Sequence, residues 1–234
     1  MKHQFEKCSR AFAFIVILVA IGWIFTIPGT AQEDDLTDAE REEIRTIINE
    51  NSARLRKEGK LLEGMFGPVQ YDWPVRMSPG QGYRFIDAMV GYVDHDPMFP
   101  NAILDWNCGS RTYDLDNGYN HKGTDIRVMP YPWNIMDQNA AFAVAAAPGV
   151  IVNKTDGNFD RNCSSTTPAP VNAIYLQHAD GSVTWYLHLK KFSLTTKEIG
   201  ETVDEGEYLG IVGSSGRSGR PHLHFEVYNA DGRL

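Results

Sequence analysis

The pattern of apolar and polar positions begins with a segment that differs from the rest of the chain. Its basic start is followed by an almost wholly apolar stretch over residues 11–27 and then by the small residues Gly29, Thr30 and Ala31. This layout is typical of a secretory signal peptide with cleavage near Ala31. Because the apolar stretch lies at the lower edge of the about 17–25 residues that cross a bilayer, an uncleaved membrane anchor is the alternative for residues 1–31.

An amphipathic helix is predicted after this segment. Thr37 and Glu40 stand three residues apart and have the form of a capping box. Apolar residues then recur near helical spacing, which predicts one helix over about 38–57 with most of its charges on a solvated face. Residues 32–66 are therefore interpreted as a helical linker or pro-segment, with a docking arm for the membrane as a further alternative. The apolar positions of the helix are Ile44, Ile47, Ile48 and Leu55.

Glycine and proline residues punctuate the next part of the chain, residues 67–107, without a clear hydrophobic period. Such punctuation favours an irregular N-terminal extension to the domain that follows. One short helix is expected within this extension, around residues 84–90.

The pattern changes from residue 108 onward to short β-rich runs that are separated by turn residues. Asp180 and Gly181 between two alternating strands give the strongest hairpin signal and predict a type I′ turn. Helical patterns are missing from this half. Residues 108–234 are therefore predicted to form an all-β domain with a compact antiparallel sandwich or barrel-like core. The predicted strands are 142–146, 150–153, 173–178, 182–188, 208–212 and 222–228.

Length and charge narrow the function classes. At 234 residues, the chain is long enough for one domain with accessory segments. Its formal net charge is −8, and loss of the signal segment, with three basic residues and one acidic residue, changes this charge to −10. An acidic exported protein is a poor candidate for nucleic-acid binding. The sequence also lacks a phosphate loop, which argues against nucleotide chemistry.

The three cysteines indicate one disulfide bond. Cys8 lies in the signal segment, whereas Cys108 and Cys163 would remain after export. Two cysteines in an oxidising compartment favour a bridge, which would stabilise the fold by about 4 kcal/mol in the chain-entropy model. Two buried free thiols are the alternative.

Candidate chemistry is concentrated in two histidine motifs of the β-rich half. His121 and Asp125 frame the sequence His-Lys-Gly-Thr-Asp. In an extended strand these side chains would lie roughly 13 Å apart, too far to share a metal with bonds near 2 Å. The chain is therefore expected to bend, and Gly123 makes a bend cheap because it tolerates unusual backbone angles. The second motif places His222 and His224 on one face of a strand.

A third candidate is His188, which ends a predicted strand. The alternative interpretation is a structural histidine on an edge strand, with its hydrogen bonds satisfied. Hydrolytic zinc needs three protein ligands, an open position for water, and a nearby proton acceptor and donor. One carboxylate and four histidines meet this requirement with one to spare. The two other histidines of the exported part are interpreted differently, His95 as part of a solvated loop and His178 as structural.

The ordered set of motifs resembles the LytM-type, lysostaphin-like zinc metallopeptidases. The resemblance extends over residues 107–228 and rests on His-x-x-x-Asp, a lone Tyr-x-His and Gly-x-x-His-x-His-Phe-Glu. It implies a duplicated hybrid motif fold, with the site in a groove between loops. The matching segments are 121–126, 145–151, 185–189 and 210–216.

The resemblance also implies a role for each site residue. His121, Asp125 and His224 would bind Zn²⁺, and His188 and His222 would be catalytic. A zinc-bound water would attack the scissile carbonyl while His222 takes its proton and His188 stabilises the oxyanion. The roles of these two histidines could be exchanged.

Together with the export signal, the resemblance implies a monomeric zinc metalloendopeptidase in the periplasm or outside the cell. Its substrate would be peptide bonds in peptidoglycan cross-links, and it would contact the membrane only through an uncleaved N-terminal segment. The alternatives are a catalytically silent scaffold that activates another cell-wall hydrolase, and a secreted peptidase for glycine-rich proteins. Long loops at 127–139 and 156–170 depart from the family pattern and are expected to flank the groove, where loops set specificity.

Overall fold

The computed structural model describes residues 36–61, 67–78, 86–93 and 121–233. The expected signal segment, Cys108 and His95 lie outside these ranges. Cys163 is disulfide-bonded, but because Cys108 is not among the described residues, the pairing of these two cysteines stays a prediction. The proposed division of the chain into domains also stays a prediction.

Within the described ranges the chain forms two helices and ten strands. The helices are α1, Asp38–Lys57, and α2, Pro132–Asp137. The strands are β1 Val75–Met77, β2 Ile86–Gly91, β3 Thr124–Met129, β4 Ala141–Val144, β5 Gly149–Thr155, β6 Ala173–Gln177, β7 Val183–Leu187, β8 Thr202–Val203, β9 Tyr208–Ile211 and β10 His222–Tyr228.

The strands form two antiparallel sheets. The large sheet has the order β2-β3-β10-β7-β6-β5-β8, and the small sheet has the order β1-β4-β9. Alternate side chains of both sheets meet in an apolar core, to which the large sheet contributes Ile126, Leu176 and Leu223 and the small sheet contributes Ala143 and Leu209. The predicted all-β antiparallel fold with an N-terminal helix is therefore confirmed.

The other face of the large sheet is covered by α1. Ile48 and Leu55 of this helix pack in a second apolar cluster with Trp185 and Tyr228 of the sheet. The predicted capping box is present, since Thr37 Oγ1 accepts a hydrogen bond from the Glu40 amide and the Glu40 carboxylate accepts one from the Thr37 amide. The helix spans the predicted residues.

Two details of α1 differ from the expectation of a simple apolar stripe and a solvated charged face. Ile47, predicted to lie on the apolar stripe, is 38% exposed. Arg41 is an exception to the solvated charged face, since it is only 2% exposed and pairs with a buried carboxylate of the sheet. Among the described residues, no helix is both long and apolar enough to cross a membrane.

The prediction of a short helix around residues 84–90 is wrong. The chain there forms β2, which pairs with β3 from Ile86 opposite Met129 to Gly91 opposite Asp125, with a bulge near its end. A short apolar run fits a strand or a helix equally well by periodicity, and here the pairing with β3 decides. The described part of the irregular extension therefore contains two strands, β1 and β2.

The β-rich half also contains the helix α2, contrary to expectation. Its six residues lie within the predicted loop 127–139, begin with Pro132 and bury Ile135 and Met136. Proline suits the first helical position because its missing N–H would have no partner there. A helix of under two turns is too short to produce a recognisable period.

The predicted hairpin at Asp180 and Gly181 joins β6 to β7, but its turn type differs. Gly181 has a φ of 85°, whereas Asp180 is not among the residues with positive φ, and a type I′ turn needs positive φ at both. The amide of Gly181 donates to the carbonyl of His178, and the amide of His178 donates to the carbonyl of Ser182. This is a three-residue loop with a left-handed glycine.

Leu55→Ala is expected to lower the free energy of unfolding by about 2–5 kcal/mol, because the Leu55 side chain is fully buried between α1 and the large sheet. Urea denaturation followed by circular dichroism measures this change. Ile47→Ala is the matched control on the exposed side of the helix and should cost less than about 1 kcal/mol. Equal losses in the two variants would contradict the packing of α1 on the sheet.

Candidate metal centre

The position of β10 between β3 and β7 builds the site. Its register places His224 opposite Asp125 of β3 and opposite Leu187 of β7, and places His222 opposite Arg127. Directly opposed residues of antiparallel strands point to the same face of a sheet. His222, His224 and Asp125 therefore share one face of the large sheet, as the alternation in the sequence predicted for the two histidines.

His121 joins this group from the segment before β3. One ligand atom from each of His121, Asp125 and His224 can be chosen so that all three lie within 4.8 Å of one another. Nδ1 of His224 lies 3.0 Å from Oδ1 of Asp125, and Nε2 of His121 lies 3.3 Å from the same oxygen. All three side chains are buried. The chain bends at Gly123, as expected.

The reason for glycine at position 123 is steric rather than conformational. Gly123 lies outside the left-handed region, but a Cβ built on it would be 2.4 Å from Nε2 of His224. Gly91 of β2 has the same role on the other side, because its Cβ would be 2.6 Å from Oδ2 of Asp125. Any larger residue at either position would displace a side chain of the cluster. Nothing in the sequence pattern marked Gly91.

Hydrogen bonds orient the imidazole rings of the cluster. Nδ1 of His121 donates to the carbonyl of Tyr92 at 2.7 Å, so a neutral ring carries its lone pair on Nε2. Nε2 of His224 lies 2.7 Å from Oε1 of Glu226, and a neutral ring that donates to this carboxylate carries its lone pair on Nδ1. Both lone-pair nitrogens are the ones near Asp125. Two imidazole nitrogens and a carboxylate oxygen, with outer hydrogen bonds that orient the rings, fit a zinc ion.

Glu226 is fully buried and carries a negative charge. Burial alone would raise its pKa, but the charge of Arg41, together with hydrogen bonds from His224 and Arg41, outweighs burial and lowers the pKa to about 2. Nη1 of Arg41 lies 2.6 and 2.7 Å from the two carboxylate oxygens, and the hydroxyl of Tyr228 donates to Oε2 at 2.6 Å. This support was not predicted from the sequence, although Glu226 follows His224 at strand spacing.

His188 and His222 form a second pair beside the cluster, with ring centroids 4.6 Å apart. Nδ1 of His222 donates to the carbonyl of Arg220 at 2.8 Å, and Nε2 lies 3.5 Å from Oδ1 of Asp125. Nδ1 of His188 donates to the carbonyl of Ser215 at 2.7 Å. Because Nδ1 donates to a carbonyl in each ring, Nε2 carries the lone pair of the neutral imidazole and is the nitrogen suited to proton transfer.

A backbone kink brings His188 to the site. Regular alternation along β7 would place its side chain on the face of Tyr186, which packs in the core between the sheets. His188 instead has a φ of 65°, a conformation that costs a residue with a Cβ about 1–2 kcal/mol. The carbonyl of Ser215 holds the ring. The amide of Leu189, the next residue, donates to the carbonyl of Asn172, and the side-chain amide of Asn172 donates to the carbonyl of Leu189. The sequence carried no signal of this kink.

The remaining described histidine takes no part in the site. His178 is buried, and its ring bonds to the carbonyl of Pro148 and to the hydroxyl of Thr184, both at 2.8 Å. Burial lowers its pKa, which favours the neutral ring. The structure therefore brings together all five predicted residues, which are His121, Asp125, His188, His222 and His224.

Parts of this chain are similar to curated peptidases. DD-carboxypeptidase/endopeptidase Mpg of Neisseria meningitidis serogroup B is 47% identical over 56 residues, which cover 24% of this chain and 12% of that protein. Peptidoglycan DD-endopeptidase ShyC of Vibrio cholerae is 32% identical over 106 residues, 45% of this chain and 19% of that one. Glycyl-glycine endopeptidase ALE-1 of Staphylococcus capitis is 45% identical over 42 residues, which cover 18% of this chain and 11% of that protein. The matches thus span less than a fifth of these relatives.

Two solved structures are similar as well. A zinc-containing peptidase from Vibrio cholerae aligns over 71% of this chain and 39% of its own, with 20% identity and a TM-score of 0.43. The catalytic domain of the peptidase lysostaphin from Staphylococcus simulans aligns over 62% of this chain and 81% of its own, with 24% identity and a TM-score of 0.38. The model of peptidase family M23 matches residues 119–234, which contain all five site residues. Through this segment, the chain belongs to peptidase family M23.

Proposed function

We propose that the protein is an exported zinc metalloendopeptidase that hydrolyses peptide bonds in peptidoglycan cross-links. One observation carries this proposal. A buried cluster of two imidazoles and one carboxylate, with ligand atoms within 4.8 Å of one another, lies next to two further histidines whose Nε2 atoms are suited to proton transfer. This is the set of groups that metal-assisted hydrolysis requires.

The metal would be held by Nε2 of His121, Nδ1 of His224 and a carboxylate oxygen of Asp125. When bound there, zinc lowers the pKa of a coordinated water towards neutrality and polarises a carbonyl oxygen. The chain supplies orientation, because the carbonyl of Tyr92 and the carboxylate of Glu226 hold the two rings. Orienting partners of this kind also raise the basicity of a ligating histidine.

His222 and His188 would carry the proton chemistry. His222 accepts the proton of the attacking water at Nε2 and returns it to the leaving amine, while its Nδ1–H stays on the carbonyl of Arg220. His188, after it takes a proton from solvent before the reaction, offers Nε2–H to the developing oxyanion, and its own Nδ1–H stays on the carbonyl of Ser215. Because both rings donate from Nδ1 to a backbone carbonyl, the two roles can also be exchanged.

The names of the relatives support a cell-wall substrate. ShyC is named a peptidoglycan DD-endopeptidase and ALE-1 a glycyl-glycine endopeptidase, so the two candidate bonds are a D-alanyl cross-link and a glycine bridge. ALE-1 also favours the second candidate function, a secreted peptidase for glycine-rich proteins. The complete set of five polar residues argues against a silent scaffold. Export through residues 1–31, a periplasmic or extracellular location and a monomeric state stay predictions.

Incubation of the purified protein with peptidoglycan sacculi should release peptide-containing fragments, and 1,10-phenanthroline should stop the release until zinc is added back. The reason is that the cluster provides three protein ligands and leaves a position for water. Mass spectrometry of the fragments identifies the bond that is cut. Sacculi with direct cross-links, sacculi with glycine bridges and a glycine-rich protein serve as parallel substrates. Zinc-loaded protein that cleaves none of the three would contradict the proposal.

A second experiment should distinguish the proposed metal ligands from the histidines proposed for proton transfer. His224→Ala should lose the stoichiometric zinc of the wild type, because it removes one of three ligands. His222→Ala should keep the zinc but lower kcat/KM by at least about 100-fold, because it removes the proton acceptor. Metal analysis and the rate of fragment release measure the two effects on the same preparations. Zinc loss in His222→Ala with zinc retained in His224→Ala would reverse the assignment.

A further inference from the structure

The first turn of α1 reaches the buried side of the candidate metal centre. Arg41 is 2% exposed and Glu226, its partner on β10, is 0% exposed. Nη1 of Arg41 contacts both carboxylate oxygens of Glu226 and lies 3.3 Å from the hydroxyl of Tyr228. The guanidinium group also lies 6.0 Å from the ring of Trp185, within range of a cation–π contact. The cation is therefore held in one place by three groups of the large sheet.

Glu226 also contacts His224, a residue of the metal cluster. Oε1 of Glu226, which accepts from Arg41, also accepts from Nε2 of His224 at 2.7 Å. A carboxylate with two lone pairs on one oxygen can serve both donors. The opposite nitrogen of His224, Nδ1, lies 3.0 Å from Asp125. An uninterrupted line of contacts thus runs from α1 through Glu226 to His224 and Asp125.

A neighbouring contact ties α1 to the loop that supports the second histidine pair. Glu40, the capping-box residue, accepts a hydrogen bond from Arg217 at 2.6 Å, and Arg217 is 5% exposed. Arg217 belongs to the turn whose backbone carbonyls at Ser215 and Arg220 hold the rings of His188 and His222. Two adjacent residues of α1 therefore contact the site from outside. Arg41 contacts Glu226, which orients His224, and Glu40 contacts Arg217, which lies in the turn that orients His188 and His222.

We propose that Arg41 is a positioning residue for the metal centre, which fixes the carboxylate of Glu226 and through it the metal-binding orientation of His224. The proposal rests on the proposed role of His224 as a ligand. It makes α1 a part of the site, whereas the interpretation of residues 32–66 as a pro-segment would make this helix removable. Partners of ligating histidines typically contribute about 10–100-fold to metal affinity, and Arg41 acts one contact further out through such a partner.

The test is the zinc dissociation constant of the purified protein, measured by competition with a chromogenic chelator and without substrate. Arg41→Met should weaken zinc binding by about 10-fold or more, because Glu226 loses the cation that holds it. Arg41→Lys should recover part of the affinity, since it keeps the positive charge. Arg54→Met is the matched control on the same helix, because Arg54 is exposed and pairs only with Glu58 among the described ion pairs. Its zinc affinity should equal that of the wild type.

Two further variants separate positioning from general destabilisation. Leu55→Ala loosens the packing of α1 but leaves the contact of Arg41 with Glu226 intact, so it should bind zinc within about twofold of the wild type. Arg41→Met combined with Glu226→Gln removes both buried charges and keeps an amide oxygen for His224. This double variant should fold even if Arg41→Met alone does not, and it should bind zinc more weakly than the wild type.

The outcomes distinguish this inference from the proposed function. Wild-type protein that binds no zinc would overturn the peptidase proposal and the inference with it. Wild-type protein that binds zinc, together with a folded Arg41→Met or double variant of unchanged affinity, would overturn the inference alone. An equal loss of affinity in Leu55→Ala would also overturn it, because general loosening of the helix would then explain the effect.

Discussion

The antiparallel pairing of β10 with β3 is the constraint on which the candidate centre depends. Its register sets His224 opposite Asp125, and the two-residue alternation of the strand then brings His222 and Glu226 to the same face. The intervening residues Leu223 and Phe225 face the core between the sheets. A slip of one residue would exchange the two faces, so the apolar core and the polar site specify the same register. Stability and chemistry thus depend on one pairing.

Close packing around this pairing leaves little freedom for the cluster. Gly91 and Gly123 let the backbones of β2 and of the bend before β3 approach Asp125 and His224 to distances that no Cβ would allow. Each ring that faces the site also has one nitrogen committed to a carbonyl or to Glu226. Catalytic groups work best when their geometry is set before the substrate binds, and here the fold sets it through buried hydrogen bonds.

The buried pair of Arg41 and Glu226 extends this organisation to the N-terminal helix. An ionised carboxylate without a partner would be very costly in the interior. The cation from α1 therefore allows Glu226 to remain charged next to His224. A charged acceptor makes a stronger hydrogen bond than a neutral one, so Glu226 holds the ring of His224 in the orientation that places Nδ1 near Asp125. The helix thus contributes to the electrostatics of the site as well as to its packing.

The sequence predicted those features whose causes are local. The bounds of α1 followed from the capping box and its apolar period, and the strand that carries His222 and His224 followed from alternation. The five candidate site residues were predicted from short motifs and from the family resemblance that these motifs carry. Features set by distant contacts were missed, above all the contact of Arg41 with Glu226, 185 residues away in the sequence. The strand β2 depends on its pairing with β3, and the kink at His188 depends on a carbonyl of a later loop.

The central claim is that His121, Asp125 and His224 hold a zinc ion. A crystal structure of the zinc-loaded protein, with anomalous diffraction measured on both sides of the zinc absorption edge, tests this claim most directly. We expect a single strong anomalous peak that is bonded to Nε2 of His121, Nδ1 of His224 and a carboxylate oxygen of Asp125, with Glu226 still in contact with Nε2 of His224. A peak bonded to His188 or His222 in place of these ligands, or zinc bound elsewhere, would contradict it.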